Sequence, residues 1–79
     1  MAGRRLETVV EAILFSSEAA LTPARIAEAL ERQDATPDTV RQAVNTLNEE
    51  YRRSDRAFEI IEVAGGYKMM TLPEYNHYI

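Results

Sequence analysis

The 79-residue chain has no cysteine, a single histidine, and only three glycines and three prolines. Without cysteine there is no disulfide framework, and an intracellular setting is the default expectation. The sole histidine, His77, lies in the terminal segment. A serine or threonine nucleophile therefore has no plausible imidazole base, and a zinc site lacks its nitrogen and sulfur ligands. No apolar run approaches the roughly 18 residues that a membrane-spanning helix needs. The start, Met1-Ala2-Gly3-Arg4-Arg5, leads into an amphipathic pattern with no signal-peptide core, so we expect a cytoplasmic protein with no membrane partner. Positive charge is also scarce: 9 Lys and Arg stand against 13 Asp and Glu, a net charge of -4. The acids are spread along the chain, which works against nonspecific attraction to nucleic acid.

The length allows one domain, and a chain this short buries only about 60 % of the surface its unfolded form exposes. A single unstapled core of this size rarely yields more than about 3 to 5 kcal/mol, so contact with a partner or a second copy is a natural supplement.

Leu6, Val9, Val10, Ile13 and Leu14 recur at i, i+3, i+4, i+7 and i+8, which predicts a first helix from Leu6 to Ser16. Phe15 falls nearly opposite that stripe. It either tucks beneath another element or meets a partner. Thr22-Pro23 and Thr36-Pro37 each supply a capping hydroxyl followed by a proline at the first helical position, where no amide hydrogen is needed. The second helix then offers Ile26, Ala27 and Leu30. The third has Asp38 in its first turn, where the helix dipole favours a carboxylate, and lines up Val40, Ala43, Val44, Leu47 and Tyr51. It ends near the charged run Arg52-Arg53-Ser54-Asp55-Arg56.

Phe58 to Leu72 reads as a hairpin turning at Gly65-Gly66, because glycine accepts the positive φ angles of a tight turn. With that turn, Val63 pairs with Lys68, Glu62 with Met69 and Ile61 with Met70. One face then carries Phe58, Ile60, Tyr67 and Met69. The other carries Ile61, Val63, Met70 and Leu72 beside Glu59 and Lys68. Both faces are apolar, yet a wing can pack only one of them on its own helices; an exposed apolar patch usually marks an interface. Beyond it, Thr71-Leu72-Pro73-Glu74 has capping-box spacing, and Tyr75, Tyr78 and Ile79 follow at helical intervals, which predicts the start of a fourth helix. The expected fold is mainly α (α+β): a winged helix-turn-helix of three helices and a C-terminal two-stranded β-hairpin wing. Residues 1–72 form that domain, and 73–79 begin a linker or helix towards a second winged-helix domain absent from this chain.

Little in the sequence supports catalysis. Glu49-Glu50 sit late on a helix, Glu59 and Glu62 point to opposite faces of a strand, and Gly65-Gly66 fits neither the dinucleotide-binding nor the phosphate-loop pattern. We expect neither an enzyme nor a cofactor. DNA reading is the rival. Arg41, Gln42 and Asn45 lie off the apolar stripe near the start of the third helix, the element that enters the major groove in a helix-turn-helix, and Lys68 sits on the wing. Asp38, Glu49 and Glu50 on the same helix oppose it. Stable DNA binding typically uses about six to ten phosphate contacts, which this chain is poorly supplied to make.

The runs Glu11-Ala12-Ile13-Leu14-Phe15-Ser16-Ser17, Leu21-Thr22-Pro23, Phe58 to Lys68 and Pro73-Glu74-Tyr75 resemble the N-terminal domain of segregation and condensation protein B, a bacterial chromosome-partition factor. Glu62-Val63-Ala64-Gly65-Gly66-Tyr67-Lys68 is the most specific part. Met70 departs from the pattern, which has a basic residue there. The resemblance implies a non-enzymatic subunit that forms a homodimer through this domain. It also implies that the dimer binds the kleisin, segregation and condensation protein A, and through it the structural-maintenance-of-chromosomes ATPase, in the cytoplasm at the nucleoid. Direct nucleic-acid binding is not expected. The candidate partner and dimer contacts are Phe15, Tyr67, Met70 and Tyr75; under the alternative of a DNA-binding transcriptional regulator, the contacts are Arg41, Gln42, Asn45 and Lys68.

Overall fold

Two threonine caps set where the helices begin. In the computed structural model, which describes residues 4–79, the Thr22 hydroxyl accepts the Arg25 N–H at 3.1 Å and starts α2 (Pro23–Leu30). Thr36 accepts the Thr39 N–H at 3.1 Å while Thr39 Oγ1 accepts the Thr36 N–H at 2.9 Å, closing a reciprocal box at the start of α3 (Pro37–Arg53). The second member of the box is a threonine, not the Glu or Gln of the usual pattern, so only its first half was visible as a sequence signal. The first helix, α1 (Leu6–Ser16), has the predicted bounds. Between α2 and α3, Arg32 grips Asp34 with two bonds of 2.9 and 2.8 Å. The guanidinium holds the Asp34 carboxyl below the usual carboxylate range.

The helical stripes meet, with Val9 of the predicted α1 stripe left outside the core cluster. Val10 and Leu14 of α1, Ile26 of α2, and Val40, Ala43, Val44, Leu47 and Tyr51 of α3 are buried together with Ile60 of the wing. Leu6, Ile13, Ala27, Leu30, Phe58, Tyr67 and Met69 pack around them half-buried. At about 1.5 to 3 kcal/mol for each large apolar side chain fully buried, these few positions supply most of the stabilisation.

The wing is an antiparallel pair, β1 (Phe58–Val63) and β2 (Gly66–Thr71), with its turn one residue earlier than predicted. Ala64 (φ 51°) and Gly65 (φ 82°) are the turn residues. Val63 therefore faces Gly66, Glu62 faces Tyr67, Ile61 faces Lys68, Ile60 faces Met69 and Glu59 faces Met70. The physical reason lies at Gly66, which is needed elsewhere. A Cβ there would come within 3.1 Å of the Leu21 backbone, because Leu21 and Tyr67 exchange backbone hydrogen bonds of 2.9 and 2.7 Å. Gly66 thus lets a one-residue third strand approach β2, and Ala64 takes the strained turn position in its place. Each residue's partner moves by two along the opposite strand, so parity is kept and the two faces have the predicted membership within the strands.

Leu72 is an exception. The strand ends at Thr71; the Leu72 N–H still donates to Ala57 C=O at 2.8 Å in the same register, but Leu72 lines a groove with Tyr51 and Phe58. The predicted capping box at Thr71 does not form either. Pro73 begins a short 3-10 helix (Pro73–Tyr78) capped by Leu72 without any side-chain bond, since Thr71 is held in the strand opposite Phe58.

The outer edge of β1 is closed by a side chain. Asn48 of α3 donates Nδ2–H to Ile60 C=O at 2.9 Å, and its Oδ1 accepts the Ile60 N–H at 2.9 Å. One carboxamide thus imitates a neighbouring strand and locks the wing onto α3.

Candidate functional site

The structure sorts the candidate contacts into three places. Phe15 stands at the end of α1, 54 % exposed, with its ring edge-on to Phe58 at 5.2 Å. Phe58 meets Tyr51 in the same manner at 4.8 Å. One side of Phe15 is thus packed beneath the wing's base, and the other is bare. Tyr51 anchors this row by donating its phenol O–H to the Glu11 carboxylate at 2.7 Å. Burial, and then the neighbouring Glu11, push the Tyr51 hydroxyl pKa above its ordinary value.

Tyr75 lines an open groove of 350 Å³ with Tyr51, Phe58 and Leu72 as its apolar floor. Arg52, Arg56, Asp55, Glu59 and Glu74 rim it, so neither sign of charge dominates. The groove holds no nucleophile paired with a base. His77 lies outside it, packed on Tyr78 at a centroid distance of 4.0 Å in the exposed tail.

Met70 occupies the outer face of the wing, 42 % exposed, with Val63 (43 %) further towards the tip. Tyr67 is on the inner face, packed on the core and tied by its backbone to Leu21. The wing therefore does not present Tyr67 and Met70 to one partner surface. Its outward side belongs to Glu59, Ile61, Val63, Lys68 and Met70, by register.

Of the residues that would read DNA, Arg41, Gln42 and Asn45 are exposed on α3. The Arg41 guanidinium is engaged by Asp38 at 2.8 Å within the same helix turn. Lys68 is half-buried on the wing's outer face, the side turned away from the core that α3 completes.

A family model described as "Segregation and condensation complex subunit ScpB" matches residues 8–79. The chain belongs to the ScpB family. The segregation and condensation protein B of Syntrophotalea carbinolica is 35 % identical over 74 residues, which cover 94 % of this chain and 36 % of the relative. The chain therefore spans about a third of the length of the curated relatives it matches. Among solved structures, a conserved hypothetical protein from Chlorobium tepidum superposes with a TM-score of 0.81 at 33 % identity, covering 92 % of this chain and 44 % of that one. A dimer of an ScpB N-terminal domain complexed with an ScpA peptide superposes with a TM-score of 0.77 at 26 % identity. That match covers 91 % of this chain and 86 % of the other, so nearly all of the solved domain has a counterpart here. The helix-helix-helix-hairpin order is thus that of an ScpB-type winged helix.

Sequence reasoning missed two structural supports of the site. Leu21 forms a strand of one residue, too short to show periodicity, and the clamping role of Asn48 depends on a tertiary approach that no spacing encodes.

Proposed function

We propose that this chain is a non-enzymatic, homodimerising adaptor domain that binds a kleisin subunit of a chromosome-condensation complex. The observation that carries the reading is the near-complete correspondence with an ScpB N-terminal domain solved as a dimer on an ScpA peptide. The kleisin links the dimer to the structural-maintenance-of-chromosomes ATPase, and the assembly acts in chromosome condensation and segregation during cell division, in the cytoplasm at the nucleoid. Residues 1–72 are the winged-helix domain, and 73–79 lead towards a second one.

The exposed apolar side chains support protein contact over chemistry. Phe15 and Tyr75, on either side of Phe58, and Met70 on the wing are the contacts we assign to partners, with Tyr67 supporting them from the inner face. A DNA-directed winged helix would need a free cation near the start of α3, and Arg41 there is already paired with Asp38. The test is co-purification of the chain with a central segment of the kleisin, with the mass of the complex measured by light scattering, beside a DNA gel shift over a salt series. Retention of the kleisin with salt-insensitive self-association supports the adaptor. A salt-sensitive gel shift with no kleisin retained overturns it.

A further inference from the structure

Two methionines stand side by side on β2, and strand alternation sends them to opposite faces of the wing. Met69 lies opposite Ile60 and packs half-buried against the core, whereas Met70 lies opposite Glu59 on the outer face, 42 % exposed. Around Met70 that face is apolar at Ile61 and Val63 and charged at Glu59 and Lys68. The chain has no cysteine, so methionine is its one sulfur-bearing residue type. No thiolate of its own intercepts an oxidant, and access decides which thioether reacts first.

We propose that Met70 is a redox-sensitive contact: hydrogen peroxide oxidises its thioether ahead of Met69, and the sulfoxide releases the partner that the outer wing face holds. In this step the Met70 sulfur attacks one peroxide oxygen. An S–O bond forms, the O–O bond breaks, and the departing hydroxide takes up a proton and leaves as water. Sulfur loses two electrons and the peroxide gains them. The product is a polar, chiral side chain, so closing a contact over it beside Ile61 and Val63 strips water from a strong acceptor. Lys68, the donor that shares its face, carries a charge that must itself stay hydrated, so it does not offset that cost. Packing on the core shields Met69, and the fold therefore outlasts the oxidation of Met70. The change is reversible, because sulfoxide reductases return the thioether with two electrons from a dithiol.

This inference rests on the partner contact assigned to Met70 above. The chain would be treated with graded hydrogen peroxide, with peptide mapping by mass spectrometry following Met1, Met69 and Met70 separately and sedimentation equilibrium following self-association and retention of a kleisin segment. Met70 should oxidise at least about tenfold faster than Met69, and the Met70-oxidised chain, still folded by circular dichroism, should bind its partner about tenfold more weakly. Met70→Leu, which keeps the hydrocarbon and lacks the sulfur, should hold the partner through the same treatment. Met70→Gln, which puts a polar group there, should lose it with no oxidant. Reducing the oxidised chain with the two methionine sulfoxide reductases and dithiothreitol should restore binding. Equal oxidation rates at Met69 and Met70, or a Met70→Leu chain that loses its partner as the wild type does, would overturn the inference. So would undiminished association of a chain fully oxidised at Met70, and the adaptor reading would then stand without that residue. An untreated chain that binds neither a second copy nor the kleisin segment would instead overturn the adaptor reading, and the switch with it.

Discussion

Replacing Asn48 by alanine removes both hydrogen bonds that close the edge of β1. The bonds to Ile60 C=O and Ile60 N–H are 2.9 Å each and partly buried. A neutral hydrogen bond contributes about 1 kcal/mol net, and a partly buried group left without its partner costs somewhat more than that, so the two together are worth about 2 kcal/mol. A single unstapled core of this size rarely yields more than about 3 to 5 kcal/mol, which makes the loss a large fraction of the total. In a domain of this size it corresponds to a drop in Tm of about 8 to 16 °C. Urea titration followed by far-ultraviolet circular dichroism should show a lower midpoint with an unchanged slope. Because the variant also uncovers a strand edge, its unfolding should become less reversible at high concentration. A Tm within about 2 °C of wild type would show that water replaces the carboxamide without loss, and the clamp would have no energetic meaning.

Three further substitutions probe the corrected hairpin and the aromatic row. Ala64→Gly should stabilise the domain by up to about 1 kcal/mol, because it relieves a left-handed backbone angle; a turn at Gly65-Gly66 would instead put residue 64 in a strand, and the same change would destabilise. Gly66→Ala should cost about 1 to 3 kcal/mol in chemical denaturation, since its Cβ would press on the Leu21 backbone, which has little room to yield. Tyr51→Phe should cost about 1.5 kcal/mol at neutral pH through loss of the bond to Glu11. The folded-state Tyr51 pKa is raised, so between the unfolded value of about 10 and the folded value the native state holds the extra proton, and stability falls as pH rises through that window. The phenylalanine variant should lose that part of the alkaline decline; an identical pH profile would contradict the assignment.

The helices were legible because several local signals agreed. Thr22-Pro23 and Thr36-Pro37 fixed two starts, and the apolar stripes fixed which sides turn inward, so all of the predicted α3 stripe is buried. The hairpin was legible in its existence and its faces but not in its register. Two adjacent glycines gave the turn two possible centres, and the contact that decides between them comes from Leu21, far along the chain. Parity protected the rest: a shift of two along the partner strand changes who pairs with whom and leaves inside and outside alone. The tail misled for a similar reason. Thr71 and Glu74 have the spacing of a cap, but Thr71 was already committed to the ladder opposite Phe58. Among the candidate contacts, Met70 and Phe15 could be found because an apolar side chain stood where its element's periodicity had no use for it. The division of Met70 and Tyr67 between two faces was equally readable from alternation.

The account turns on whether the chain's uncovered apolar surface joins it to other polypeptides. Sedimentation equilibrium of the purified chain, alone and with a kleisin segment, tests that most directly. The predicted result is a mass approaching twice 9.0 kDa as concentration rises, with the kleisin segment sedimenting together with the dimer. A constant mass of 9.0 kDa throughout, with the kleisin segment left free, would contradict it.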